Sequence, residues 1–351
     1  MKVGTLTFHL GLNHGGYLQA YCLAAAVAEL GAEVEIINYK NPKHYAADRF
    51  NPRVYRNPLN LLFNWNKNKS FKKAFDEMAL TPFSSNVEGV CWSEYDAIIV
   101  GSDIVWNYQA ESLGQDPVYF GGIPNSFEGK LISYAPSCGQ MAWNHDVPDL
   151  IKESMARYTA VSARDANTQK FAREYTKHKD IPLVVDPTWL NMSDRGKSNK
   201  AKSRQDYILL YAYSVSDAYA QAIKEYAAKE GLKIMGTGYY QSFADEQFSS
   251  ASPFDWVELI AGARCVVAGT FHAALYAIRE SVPFAIIPQD AINTKLKGPM
   301  GITGLSHHIL KSPDEIEKVL NYDIDYEQVQ RQISSARASS ITYLEEALFT
   351  Q

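Results

Sequence analysis

Short apolar runs separated by amphipathic, alanine-rich stretches set the rhythm of the chain. In the first half, Lys2–Leu6, Glu33–Tyr39, Asp96–Val100, Lys130–Tyr134, Ala160–Ser162 and Leu183–Val185 read as strands. Gly16–Leu30 reads as a helix stopped by Gly31, and Asp165 is placed to cap a helix over Ala166–Tyr175. Apolar strands spaced by helices predict βαβ crossovers and a parallel sheet covered on both faces.

The pattern stops at 191–205 (NMSDRGKSNKAKSRQ), a polar stretch without periodicity that reads as a linker. Beyond it the alternation restarts. Strands are expected at Tyr207–Tyr211, Leu232–Met235, Cys265–Ala268 and Phe284–Ile287. Helices are expected at Ser216–Glu230, Phe254–Ala261, His272–Glu280 and, last, Tyr326–Phe349. The expectation is an α/β protein of two Rossmann-like, doubly wound domains with an interdomain cleft. Residues 1–190 form the first domain, with a basic and aromatic insertion at 40–80, and 191–206 form the linker. Residues 207–325 form the second domain, and 326–351 are a helix packing back on the first.

Length and composition narrow the class. A chain of 351 residues, 46% hydrophobic and 21% charged, suits two globular domains with cores of their own. It has no apolar run of the roughly 18 residues that would span a bilayer. Met1–Phe8 enters a strand directly without a signal-peptide pattern, so a cytoplasmic location is expected. Cys22, Cys91, Cys138 and Cys265 are scattered, which fits neither a zinc site nor a disulfide framework.

The net charge of −5 conceals an asymmetry. Between Lys40 and Lys73 there are nine Lys or Arg and one acid, Asp48, interleaved with Phe50, Tyr55, Phe63, Trp65 and Phe71. Such a segment suits an anionic glycan, a lipid-linked acceptor or the inner face of a membrane; it equally suits a solvated helical arm. An acidic chain lacks the broad basic footprint of a nucleic-acid binder.

Ligands of open α/β sheets sit beyond the carboxyl ends of the strands, which selects the loops that matter. Among them, Ala261–Ile278 (AGARCVVAGTFHAALYAI) carries most. A buried strand turns at Gly269-Thr270-Phe271 into a helix opened by His272. A helix N-terminus attracts anions, and an imidazole there can move protons near neutral pH. A buried core histidine is the alternative. Asn13–Tyr21 (NHGGYLQAY) has paired glycines, Gly15 and Gly16, that permit close approach of a ligand, although a plain tight turn also requires them. It is neither a dinucleotide fingerprint nor a P-loop. Asp103 follows a strand and is a candidate base or sugar-hydroxyl ligand, or else a helix cap. Trp106 would stack on a sugar ring or lie in the core. Arg164 offers a planar fork for a carboxylate or phosphate, or a salt bridge to Asp165. Asp186-Pro-Thr-Trp189 reads as structural, and His14 is the one other histidine expected in the cleft; His9, His44, His145, His178, His307 and His308 lack such a position.

In order along the chain, NHGGYLQAY (13–21), GSDIVWN (101–107), ISYAPS (132–137), SARD (162–165), DPT (186–188) and TFH (270–272) resemble the polysaccharide pyruvyl transferase family, over about residues 3 to 290. The resemblance implies a GT-B-like fold with phosphoenolpyruvate as donor, held by the second domain, and a saccharide or lipid-linked saccharide as acceptor on the first. It implies transfer of pyruvate to a sugar of a cell-surface polysaccharide as a cyclic ketal, with neither cofactor nor metal. Relatives hold the donor with an arginine of the first domain and an Arg-x-His cluster of the second. Arg164 and His272 match the first and last of these, whereas Thr270 stands where the cluster arginine would be. Lys295, in a neighbouring loop, is a candidate replacement.

The expected site therefore has His272, Asp103 and Arg164 as catalytic residues. Asn13, Gly15, Gly16, Trp106, Ser137, Gly269, Thr270 and Lys295 are its binding residues. Two other readings remain open at this point: a nucleotide-sugar glycosyltransferase of the same architecture, and a non-catalytic glycan- or phosphate-binding protein of polysaccharide assembly.

Overall fold

The computed structural model of the protein describes residues 1–49, 58–110, 115–142, 146–190 and 205–350. The linker stretch 191–204 lies outside them, as do Phe50, Arg53, Tyr55, Arg56 and His145.

Two parallel sheets organise the chain. The first joins β1 (Lys2–Leu6), β2 (Glu33–Ile36), β3 (Ala97–Val100) and β4 (Lys130–Ser133) in the order β2-β1-β3-β4. Single parallel bridges, Ile132 to Ala160 and Ala163 to Leu183, extend it past β4. The two apolar runs expected to be strands at 160–162 and 183–185 are thus reduced to bridges.

The second sheet joins β5 (Gln205–Ala212), β6 (Lys233–Thr237), β7 (Glu246–Phe248), β8 (Ala263–Gly269) and β9 (Phe284–Ile286) in the order β7-β6-β5-β8-β9. Both orders reverse direction beside their first strand, between β1 and β3 and between β5 and β8. That reversal is the topological switch point at which doubly wound sheets open a crevice for ligands.

The helices are α1 (His14–Glu29), α2 (Pro42–Arg49), α3 (Pro58–Phe75), α4 (Asp149–Met155), α5 (Ala166–Tyr175), α6 (Asp217–Glu230), α7 (Pro253–Gly262), α8 (Phe271–Arg279), α9 (Asp290–Thr303), α10 (Ile316–Leu320) and α11 (Tyr326–Phe349). Side-chain caps explain several starts: Asn13 for α1, Asp165 for α5, Ser216 for α6, Ser252 with Asp255 as a capping box for α7, and Thr270 for α8. α9 corrects the expectation of a loop over 288–297. Its glycines and Pro299 hide the helical pattern, but Ile292, Leu296 and Met300 recur at helical spacing and are buried.

One apolar cluster runs through both halves, from Tyr17 and Leu18 of α1 through Trp189 to Trp256, Leu275, Ile333 and Leu344. α11 closes over β4, where Tyr343 donates its hydroxyl to the Ser133 carbonyl at 2.8 Å. Ser340 Oγ accepts from the Val185 amide at 3.0 Å. This shared core holds the carboxyl ends of the two sheets opposite one another.

Candidate functional site

Loops from both switch points meet at one charged cluster. From the first sheet come Asp103, three residues after β3; Arg164, beside the bridge at Ala163; and Asp186. From the second come His272 in the first turn of α8 and Lys295 in α9.

Asp186 ties the two halves together. Its Oδ2 lies 2.8 Å from Arg164 Nη1 and 3.7 Å from His272 Nε2. Its Oδ1 accepts from the amide and hydroxyl of Thr188. Burial alone would push this carboxyl up, but the facing imidazole, the guanidinium and the Thr188 amide outweigh it. The group is held below the usual carboxylate range. Asp186 is therefore held as a carboxylate between Arg164 and His272, in addition to the local Thr188 contacts that its structural reading expects.

Arg164 is only 4% exposed and stacks on the Phe271 ring, 4.8 Å from the centroid. Its Nη2 stands 3.8 Å from Asp103 Oδ1, an ion pair too long for a hydrogen bond. Arg164 Nε and Nη2 and His272 Nε2 have no hydrogen-bond partner among the described residues. Buried donors are rarely left so, because each costs about 1–3 kcal/mol unpaired. Three such atoms on two neighbouring residues, both beside Asp186, mark this cluster as the candidate site.

His272 is 8% exposed and neither sealed among hydrocarbons nor remote from the arginine. Gly15, in the first turn of α1, packs on its ring: a Cβ there would fall 2.3 Å from His272 Cγ. Only glycine permits that approach. Asp103 has the most open carboxylate of the group, its side chain 17% exposed. It sits at φ 67°, a left-handed position that aspartate tolerates better than most residues, and Gly101 before it turns at φ 115°. Lys295 is half-buried; its burial pushes the ammonium down, against the pull of Asp103, Asp165 and Asp186, which place it in the same electrostatic neighbourhood.

The remaining expected residues divide. Asn13 spends its side chain on the Gly15 and Gly16 amides, at 3.0 and 3.3 Å, so those amides are not open to a ligand. Thr270 Oγ1 caps α8 through the Ala273 amide, and Gly269 makes room for Ala212, whose Cβ would lie 2.5 Å from an added one. Ser137 is buried and donates to Asp165 while accepting from Gly139, so it supports a loop instead of touching a substrate. Trp106 is fully buried against Tyr158 and Phe171 and donates to the Tyr119 carbonyl; it is a core residue, not a sugar platform. His14 is no cleft residue either. It is 1% exposed, linked to the Tyr211 hydroxyl and the Ala251 carbonyl at 3.1 Å each, and stacked on Trp256. Burial beside Lys67 drives its pKa well below the ordinary value, so it is a neutral joint between the halves.

Two contributors escaped the sequence reading. Phe271, between Thr270 and His272, carries the Arg164 guanidinium on its ring, a contact between residues far apart in the chain that no local pattern signals. Tyr213, just after β5, is about half exposed and packs on Tyr239; partial desolvation and the charge of Asp103 raise its pKa, so it borders the cluster. Its signal was its position, one residue past a strand end at the second switch point.

The described residues contain no group of three His, Cys, Asp or Glu arranged to hold a metal. The arrangement can instead bind a small dianion between a guanidinium and an imidazole and move a proton at one side of it.

The fold is that of a two-lobed α/β protein of the GT-B type, with the charged cluster where the two lobes meet. Solved structures agree on the fold. The glycosyltransferase UGT89C1 of Arabidopsis thaliana, complexed with UDP, superposes with a TM-score of 0.55 at 11% identity, covering 99% of this chain and 98% of that one. The UDP-GlcNAc 2-epimerase of Methanocaldococcus jannaschii, complexed with UDP-GlcNAc and UDP, gives 0.53 at 12% identity over 95% and 99%. A search among curated proteins finds no match. The model of the polysaccharide pyruvyl transferase family matches residues 13–290, and the chain belongs to that family.

Proposed function

We propose that the protein transfers pyruvate from phosphoenolpyruvate to two hydroxyls of a saccharide, forming a cyclic ketal and releasing phosphate, on the cytoplasmic side of the membrane. The observation that carries this reading is the Arg164–Asp186–His272 bridge, with Arg164 Nε and Nη2 and His272 Nε2 buried without hydrogen-bond partners among the described residues. A small anion with a carboxylate and a phosphate ester on the same carbon suits a fork and an imidazole set so close together.

In this reading Arg164 Nε and Nη2 take the donor carboxylate, and Lys295 supplies the positive charge missing at Thr270. His272 Nε2 gives its proton to the donor methylene, which becomes a methyl group and leaves a cationic centre at C2. The first sugar hydroxyl adds there and passes its proton to Asp103. The C2–O bond to phosphate then breaks, the second hydroxyl closes the ketal, and the second proton leaves with phosphate. Asp186 stays ionised throughout and stabilises the imidazolium that donates the proton. The acceptor enters from the first lobe, beside Asp103.

The test is to incubate the protein with phosphoenolpyruvate and saccharide acceptors of cell-surface polymers, lipid-linked and free. Phosphate release matched by an acid-labile pyruvate ketal on the sugar is expected. Release of UDP from a nucleotide sugar, with phosphoenolpyruvate untouched, would contradict the proposal.

A further inference from the structure

The outer face of α3 is used by nothing described so far. Helical spacing places Leu61, Leu62, Trp65, Lys69, Lys72 and Lys73 on one side, and all six are exposed. Phe63, Lys67, Phe71 and Ala74, on the opposite side, are buried. That inner side is pinned. Lys67 Nζ donates to the Gly238 carbonyl at 2.7 Å, Ser70 Oγ to the Ser250 carbonyl at 2.7 Å, and Tyr17 to the Ala74 carbonyl at 2.8 Å. The helix therefore cannot roll to hide Trp65, 64% exposed, or Leu62, 58% exposed.

The order of side chains on this face is not random. Its N-terminal half is apolar and its C-terminal half is lysine, and Pro58–Phe75 contains no acid in a chain of net charge −5. A groove of about 510 Å3 runs along it, with Trp65, Phe71 and Phe75 on its walls and Lys69 and Lys72 at its rim, and reaches Leu12. Leu12 precedes Asn13, the cap of the helix whose Gly15 touches His272. The face thus leads towards the charged cluster.

We propose that this face of α3 docks on an anionic lipid bilayer. Leu61, Leu62 and Trp65 enter the boundary between headgroups and acyl chains, where a tryptophan ring is at home, and Lys69, Lys72 and Lys73 hold the anionic headgroups. Charge complementarity selects this occupant: in an acidic protein, the most basic of the described helices carries Trp65, the most exposed large apolar side chain among the described residues, beside Leu61 and Leu62. The inference goes beyond the reaction, because docking needs no turnover, and each can fail without the other.

The test is sedimentation of the full-length protein with phosphatidylcholine vesicles and with vesicles carrying about one phosphatidylglycerol in three. Binding to the mixed vesicles only, weakened by salt, is expected, with a blue shift of tryptophan emission that W65F removes. L61S/L62S/W65S and K69Q/K72Q/K73Q should each lower the partition coefficient, the lysine set by on the order of a hundredfold. All six side chains are exposed, so both sets should keep the wild-type melting temperature. The proposal is overturned if the protein ignores anionic vesicles at low salt, or if neither set changes binding. It is equally overturned if the face instead makes a protein dimer that the same substitutions dissolve.

Discussion

Gly15 and His272 are in contact across the two lobes, the α-carbon of one set against the ring of the other so closely that an added methyl would come within 2.3 Å of the imidazole. The first turn of α1 and the first turn of α8 therefore fix each other, and the ring's direction depends on a residue with no side chain.

Gly15→Ala should misplace the imidazole while leaving its chemistry intact. A displacement of about 1 Å costs on the order of a hundredfold in rate. The expected result is a kcat lower by about that factor with phosphate release still measurable, read from steady-state kinetics. Unchanged kcat would show that the contact does not set the ring.

Asp186→Asn should be among the most damaging isosteric changes in the protein. It leaves the Arg164 guanidinium, 4% exposed, without its close counter-charge, and breaking such a buried pair costs about 3–5 kcal/mol. Denaturant unfolding measures the loss. The wild-type carboxyl is held below its ordinary range, so its stabilising effect is complete above the unfolded-state value and fades as pH falls through the lower, folded one. The Asn variant should lack that acid-side fall.

Asp103→Asn should separate binding from chemistry. Its carboxylate stands 3.8 Å from Arg164 Nη2 and is the most open acid of the cluster. Removing a general base lowers kcat by about 10²–10⁴. Phosphoenolpyruvate affinity, followed by thermal shift, should stay the same or improve, because a negative charge beside the anion is gone.

Lys67 gives a stability test on the alkaline side. Burial lowers its pKa to about 7 from the ordinary 10.5. Between those values the unfolded chain binds a proton that the folded protein does not, so this residue makes stability rise with pH over that window. Urea unfolding of wild type and Lys67→Met at intervals from pH 6.5 upward should show the difference between them change in that sense. A parallel pair of curves would exclude a neutral Lys67.

Much of the architecture can be read from the sequence because local signals and burial agree. β1 at Lys2–Leu6, α5 capped by Asp165 and α11 at Tyr326–Phe349 form where their patterns predict. The failures have physical causes. α9 was hidden by Gly298, Pro299 and Gly301, residues that lower helix propensity but are outweighed by the burial of Leu296 and Met300. Trp106 and Asp186 both follow apolar runs, and their local pattern leaves open which of them faces the crevice. Which strand-end side chain turns into the core and which into the crevice depends on tertiary neighbours: Tyr119 for the indole, Arg164 for the carboxylate. His14 follows the same rule, since its partners Tyr211 and Ala251 are about two hundred residues away along the chain.

In the proposed reaction, Arg164 of one lobe and His272 of the other jointly grip phosphoenolpyruvate. Calorimetric titration of phosphoenolpyruvate into the wild type, Arg164→Lys and His272→Gln measures it most directly. Saturable binding to the wild type, weakened at least about tenfold by either substitution in a protein that still melts cooperatively, is the predicted result. Equal affinity in all three proteins, or no heat of binding in any of them, would contradict it.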